Sequence, residues 1–522
     1  MKKITLIICL FLTTFIYPQE VGDLDASFGD NGKVITSINP GADVAYAVGL
    51  QDDQKIVVAG YSFSSTFGDD FACLRLNTDG SLDNTFGNGG IVTLDVQLGS
   101  DDRVKSLDIQ LDGKIVLAGY SDDGSDRNAA IVRLNTDGSL DTGFGNQGIV
   151  LTDFENNQQD EVNAVKIRDL NGDIIVGGTS VINTNLSKPV VARYDSDGNL
   201  DTSFNSTGIR LLWITNTDDQ YRFSLEDLDV KPNGKITAVG WRDFVQFAHD
   251  ADYWACKINA NGDMDSTFSP DGVRVYNGSF NGEDKAFSVL IKPNDNLLIS
   301  GAGAISELAT DFTIFETTSV GDVISSPVTS VEFDTTIIPH DTAYGMKEDV
   351  NGRYIVVGSS GTPSTERTIA LARLNSDLSV DSNFGTSGKV TTTFNSNDLN
   401  EAFDLSIQTD NKIVVVGYTG TDMVVARYIT EENLSVSDET LNTSLELYPN
   451  PFNETLKLVF ENTNSLDNQI TIYNSKGIEV FSKTLNSNVV TLDLGFLASG
   501  LYLYQMKSNN GAFQQSGKLI KR

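Results

Sequence analysis

The chain repeats itself seven times, and this repetition limits its fold more than any other feature. An apolar run follows a polar turn at Lys55-Ile56-Val57-Val58, Lys114-Ile115-Val116, Asp173-Ile174-Ile175, Lys235-Ile236, Asn296-Leu297-Leu298, Arg353-Tyr354-Ile355 and Lys412-Ile413-Val414. The position held by Ile56 returns at 115, 174, 236, 297, 354 and 413, at spacings of 57 to 62 residues. A second motif trails each run, as Arg75-Leu76-Asn77, Arg133-Leu134-Asn135, Arg193-Tyr194-Asp195, Lys257-Ile258-Asn259, Arg373-Leu374-Asn375 and Arg427-Tyr428, and is degenerate at Ile314-Phe315-Glu316. A third links the repeats: Leu24-Asp25-Ala26-Ser27-Phe28-Gly29, whose phenylalanine recurs at 86, 144, 204, 268 and 384.

Val, Ile, Leu and Tyr fill four short segments per repeat, and Gly, Asn and Asp clusters punctuate them. In the first repeat the strands are expected near 33–37, 44–50, 55–62 and 71–77. No helical period appears. Four strands recurring seven times predict an all-β, seven-bladed β-propeller, with an open β-solenoid as the alternative. The linking motif precedes the first full repeat and is missing after Arg427-Tyr428. The segment at 33–37 is therefore expected to complete the blade that ends near Tyr428 and leave no open edge.

These motifs resemble the delta-60 repeat family over roughly residues 21 to 428, most closely at Gly80-Ser81-Leu82-Asp83 and Gly138-Ser139-Leu140-Asp141. The resemblance implies propeller-forming repeats and no particular activity.

The termini read as an export route. Met1-Lys2-Lys3 followed by the apolar run from Ile4 to Ile16 has the form of a signal peptide, expected over residues 1–19. The propeller is expected over 20–430 and a polar linker over 431–443. Residues 444–522 are near neutral in an otherwise acidic chain and predict seven short strands, an immunoglobulin-like β-sandwich. Three motifs there resemble the type A sorting domain of the type IX secretion system: Tyr448-Pro449-Asn450-Pro451, Leu497-Ala498-Ser499-Gly500-Leu501-Tyr502, and the terminal Lys518-Leu519-Ile520-Lys521-Arg522. Gly477 fits that family's mid-domain hairpin. The resemblance implies passage across both membranes of a Gram-negative cell, the secretion machinery as partner, and a cell-surface or extracellular destination.

Composition narrows the function. A net charge of −34 opposes nucleic acid or an anionic membrane as partner, and no later segment predicts membrane insertion. The two histidines, His249 and His340, leave almost no room for histidine catalysis or multi-histidine metal sites. Cys73 and Cys256 fall in different repeats and are expected as buried free thiols. No cofactor motif appears. The turn from Asn77 to Asp83 offers oxygens at alternate positions, as calcium loops do, but lacks a closing glutamate, and turn chemistry explains the same residues. Strand arginines and linking aspartates recur in most repeats and are expected to pair as clamps. The fourth repeat stands apart, with Trp213, Trp241, Trp254, Phe244, Phe247 and His249. Exposed aromatics there would bind a polysaccharide or a surface protein; the alternative is that Trp241 only replaces Tyr61, Tyr120 and Tyr418. A glycan-acting enzyme with a carboxylate pair near the channel, or a passive spacer, are the other expectations.

Overall fold

A computed structural model describes residues 19–64, 68–155, 159–168, 171–183, 186–212, 221–244, 251–278, 282–324, 329–333, 339–362, 366–395, 398–431, 445–460, 468–474, 479–485, 487, 489–508 and 514–522. The chain divides into two units, 1–433 and 434–522.

The first unit is a propeller of seven four-stranded antiparallel sheets. Its inner strands are Asp43–Leu50, Asp101–Ile109, Gln159–Arg168, Tyr221–Val230, Lys285–Ile291, Thr342–Glu348 and Asn400–Ile407. Each contacts the next, and the last returns to the first, so the ring closes. Closure uses the segment the sequence singled out. Lys33–Thr36 pairs antiparallel with Asp422–Tyr428, Lys33 opposite Ala426, and becomes the outer strand of the last blade. One blade is thus built from both ends of the unit, which removes the free edge an open sheet would expose. The fifth blade keeps four strands although its motifs have decayed, because its apolar positions still fill the space between blades.

The repeated charges fasten blade to blade. Asp83 receives Arg75 at 2.8 Å, Asp141 receives Arg133 at 2.7 Å, Asp201 receives Arg193 at 2.8 Å and Asp381 receives Arg373 at 2.8 Å. Each guanidinium also donates to a backbone carbonyl in the following turn: Thr136, Ser196, Ala260 and Thr430 respectively. Arg427 does this across the closure, bonding Asp25 and the carbonyl of Thr78 while lying over the Phe28 ring. The fourth blade departs. Its Lys257 reaches the carbonyls of Asp295 and Ser319, and Lys235 takes Asp265 instead.

A second periodic device sits at the start of the inner strands. Asp43, Asp102, Asp160, Asp284 and Asp341, with Asn400, are buried and accept a backbone N–H from the loop entering their blade, from Ile38, Val96, Phe154, Gly278, Phe333 and Phe394. The fourth blade has Phe223 at this position. Burial pushes the carboxyls of Asp160 and Asp284 up to about 6 and raises those of Asp43, Asp102 and Asp341. Cys73 and Cys256 are free and buried, as their spacing predicted.

The second unit is a sandwich of a three-stranded sheet (Leu445–Tyr448, Thr455–Phe460, Val489–Asp493) on a four-stranded one (Asn468–Asn474, Glu479–Leu485, Gly500–Ser508, Gln514–Lys521). All seven expected strands are present, and the last begins four residues earlier than the Lys518 the sequence suggested. Its core gathers Leu456, Leu458, Ile470, Ile472, Leu492, Met506 and Leu519.

Candidate functional site

The inner strands share one irregularity. Each slips register once against the second strand of its blade: between Ala45 and Ala47, Val104 and Ser106, Val162 and Ala164, Leu225 and Asp227, Ala286 and Ser288, Ala343 and Gly345, Ala402 and Asp404. A β-bulge leaves one residue unpaired and re-aims its side chain. A glycine on the second strand makes room for each bulge. A Cβ on Gly60 would stand 1.8 Å from the Val44 carbonyl oxygen, one on Gly119 1.9 Å from that of Arg103, and Gly178, Gly240, Gly301, Gly358 and Gly417 face the same clash. Glycine at these seven positions is a requirement of the backbone.

The seven unpaired residues all line the central channel, a cavity of about 590 Å³. Four from consecutive blades are aromatic. The ring centroids of Phe287 and Tyr344 lie 4.9 Å apart, Tyr344 and Phe403 5.1 Å, and Phe403 and Tyr46 4.8 Å. These separations suit tilted ring packing. Tyr61 and Tyr418 back the arc from the second strands. The other three, Lys105, Asn163 and Glu226, are polar. Lys105 places its ammonium 4.0 Å from the Tyr46 ring centroid, Asn163 donates to the Leu225 carbonyl at 2.9 Å, and Glu226 accepts the Trp241 indole N–H at 2.7 Å. Burial raises the Glu226 carboxyl and lowers the Lys105 ammonium.

Deeper in the channel the charges serve the scaffold. An inner strand is an edge, and its free N–H groups need acceptors. Asp108 takes the N–H of Ile167 at 2.7 Å, Asp227 that of Val289 at 2.9 Å, Asp229 that of Ile291 at 3.0 Å and Asp404 that of Val48 at 3.0 Å, each in the neighbouring blade. Lys166 and Lys347 stand among these carboxylates. Burial works against the Lys166 charge, and the four aspartates outweigh it, so its pKa is raised.

The fourth-repeat aromatics do not form one exposed cluster. Trp254, expected at a binding surface, is fully buried in the core between the third and fourth blades, with its indole N–H on the Trp241 carbonyl at 3.0 Å. It faces the blade interior because strand alternation puts it with Cys256 and Ile258, not with solvent. Trp241 is half-buried, holds the position of Tyr61 and Tyr120, and touches the channel through Glu226. Phe244 is half-buried against Tyr221, centroids 5.1 Å apart. Trp213, Phe247 and His249 lie outside the described residues. The bulge ring is what sequence reading missed. Its signal was the glycine four residues after each Ile56-type position, since glycine inside a strand marks a bulge.

In the turn that resembled a calcium loop, Asp79 accepts the Ser81 N–H and hydroxyl at 2.9 and 2.6 Å. Among the described residues a different group, Asp70, Asp95 and Asp102, brings three carboxylate oxygens within 4.8 Å of one another. Burial and these neighbours push Asp70 up to about 6.

In the second unit the sorting motifs meet. Asn450, between Pro449 and Pro451, donates to the Lys518 carbonyl at 2.8 Å and accepts the Ile520 N–H at 2.9 Å. The Lys521 ammonium donates to the Asn453 carbonyl, so the segment after Tyr448 is stitched to the terminal strand. Tyr502, two residues beyond Gly500, donates to the Ala498 carbonyl at 2.9 Å. Gly477 lies outside the described residues.

Family comparisons agree with this architecture. Residues 51–86, 110–144, 171–204 and 351–384 match a β-propeller domain of unknown function, DUF5122, and residues 446–522 match a secretion system C-terminal sorting domain. The first unit thus carries DUF5122 β-propeller repeats, and the second a type IX secretion system C-terminal sorting domain. That domain marks it as exported, for attachment to the cell surface or release, and implies interaction with the secretion machinery. No curated protein matches the sequence. Among solved structures it is similar to PorZ, a surface component of the type IX secretion system of Porphyromonas gingivalis (12% identity, TM-score 0.38, 91% of this chain), and spans 59% of that chain. It is also similar to an α-L-arabinanase of Penicillium chrysogenum (12% identity, TM-score 0.38, 77% of this chain and 98% of that one). A subtype N10 neuraminidase-like protein of A/little yellow-shouldered bat/Guatemala/060/2010 is a third (10% identity, TM-score 0.36, 77% of this chain and 98% of that one).

Proposed function

We propose that the protein is a binding module displayed outside the cell, and that it takes its ligand, a glycan or a segment of another surface protein, in the propeller channel. The observation that carries this reading is the arc of Phe287, Tyr344, Phe403 and Tyr46, four half-buried rings turned into one cavity by four separate bulges. Folding would favour apolar packing between blades; aromatic surface held at a channel is available for a partner. The cavity of about 590 Å³ lies inside the range of small-ligand sites, about 300–1,000 Å³. The sorting domain delivers such a module to the face of the cell where glycans and surface proteins are met.

The test is retention of the purified chain on immobilised polysaccharides and on a cell-surface protein fraction, with Phe403→Ala and Tyr344→Ala beside the parent. The expected result is retention that both variants lose; retention that neither variant changes refutes the channel as the site. A hydrolytic reading would place its general acid at Glu226, the carboxyl that lines the same cavity and accepts the Trp241 indole N–H. Released reducing ends in the same wells, lost in Glu226→Gln, would establish it.

A further inference from the structure

The two halves of the bulge ring differ in chemistry, and together they specify a ligand with one apolar face and a rim of hydroxyls. We infer that the channel takes the end of a neutral oligosaccharide, with a sugar ring stacked on Phe403 and Tyr344 and its hydroxyls turned to Lys105, Asn163 and Glu226. This deepens the binding reading and rests on it.

The aromatic half offers ring faces, which attract the partially positive C–H face of a pyranose. The polar half offers a donor, an amide and an acceptor. Among the described residues Lys105 makes no hydrogen bond, so its N–H groups are unused. The Asn163 amide gives one N–H to the Leu225 carbonyl, which leaves its second N–H and its carbonyl oxygen for a ligand. Glu226 accepts from the Trp241 indole and the Ser224 hydroxyl, and the remaining lone pairs of its two oxygens retain acceptor capacity. A hydroxyl both donates and accepts, so one sugar ring can satisfy all three. An apolar peptide side chain would desolvate the same three groups without offering them hydrogen bonds in return.

Charge separates neutral from acidic sugars. The cavity is lined by Lys105, Lys166 and Lys347 against Glu226, Asp108, Asp227, Asp229 and Asp404, three positive against five negative. The whole chain carries −34. An anionic polymer would enter against both fields. The lower aspartates are also committed to backbone N–H groups of neighbouring blades, so they are not free to release a lysine to a carboxylate ligand. Finally, all seven bulge residues sit on inner strands pinned by a glycine, so the ring is preorganised and loses little entropy on binding.

The experiment is calorimetric titration of the full exported chain with neutral gluco-, manno-, xylo- and arabino-oligosaccharides, and with oligogalacturonate as the anionic counterpart. Phe403→Leu, Lys105→Met and Asn163→Ala are titrated beside it; Lys105→Met keeps the packing volume, so one variant reports even where another unfolds. At least one neutral series should bind, with affinity little changed between low and high salt. Phe403→Leu and Lys105→Met should each weaken it tenfold or more. Preference for oligogalacturonate, lost in the same variants, would overturn the neutral-sugar class and leave the channel as a binding site. Neutral-sugar binding unchanged in all three variants would overturn both. If no oligosaccharide binds while surface-protein retention still depends on Phe403, the sugar assignment fails and the binding reading stands.

Discussion

Removing the guanidinium that closes the ring should destabilise the whole propeller and release its first strand. Arg427 and Asp25 come from opposite ends of the unit, and their side chains are 5% and 4% exposed. Arg427 bonds Asp25 at 2.8 Å, the Thr78 carbonyl, and the Ser27 hydroxyl at 3.3 Å, with Phe28 4.4 Å beneath it. Arg427→Ala strands a buried carboxylate. Breaking a buried pair from one side costs about 3–5 kcal/mol. Lys412, 3.1 Å from Asp25, remains and keeps the cost toward the lower figure. Unfolding entropy of about 2.1 cal/mol/K per residue over roughly 400 residues converts about 3–5 kcal/mol to about 4–6 °C in Tm. The control is Arg274→Ala, whose pair with Asp322 is 3.5 Å long with side chains 38% and 68% exposed; it should cost under about 1 kcal/mol. Arg133→Ala is the second comparison, because it stitches two interior blades. Both buried variants should lower Tm in scanning calorimetry. Only Arg427→Ala should also expose the segment around Lys33–Thr36 to limited proteolysis. Equal Tm values for Arg427→Ala and Arg274→Ala would refute the clamp.

Three further outcomes follow from the same structure. The carboxyls of Asp160 and Asp284, raised to about 6, bind protons more tightly folded than unfolded, so their contribution grows as pH falls from about 7 toward 4. Asp25 behaves oppositely: burial alone would raise it, but Ser27, Lys412 and Arg427 hold it down to about 2, and that stability is lost as pH drops below about 4. Tm should therefore be higher near pH 5 than at pH 7.5 and fall again toward pH 2; a lower Tm at pH 5 than at pH 7.5 would contradict the buried ring. Gly119→Ala puts a Cβ 1.9 Å from the Arg103 carbonyl oxygen and should cost about 1–3 kcal/mol or more in urea unfolding, whereas Lys105→Met at the same bulge should be near neutral. Trp254→Ala empties a fully buried site and should cost about 3–5 kcal/mol, while Trp241→Ala, half-buried, should cost less and change ligand binding through Glu226.

The fold was legible because repetition carries its own arithmetic. Apolar runs with period-2 strands, punctuated by Gly and Asp, leave few closed all-β solutions, and the missing linking motif after Tyr428 pointed to the shared blade. The clamps were legible too, because a charge repeated in step with another is a pair in waiting. The sorting motifs at Tyr448–Pro451 and Lys518–Arg522 could be read as words, though not that Asn450 joins them.

The site was not legible in the same way, and the reason is geometric. A propeller channel is assembled from one residue in each blade, about sixty positions apart, and no local pattern marks Tyr46, Phe287, Tyr344 and Phe403 as neighbours. They differ from repeat to repeat where the scaffold is constant, so the eye drawn to regularity passes over them. The crowded aromatics of the fourth repeat drew attention instead, yet strand alternation turned Trp254 inward. Sequence alone determined what must be built seven times. Only closure of the ring decided which unpaired side chains would face one another across it.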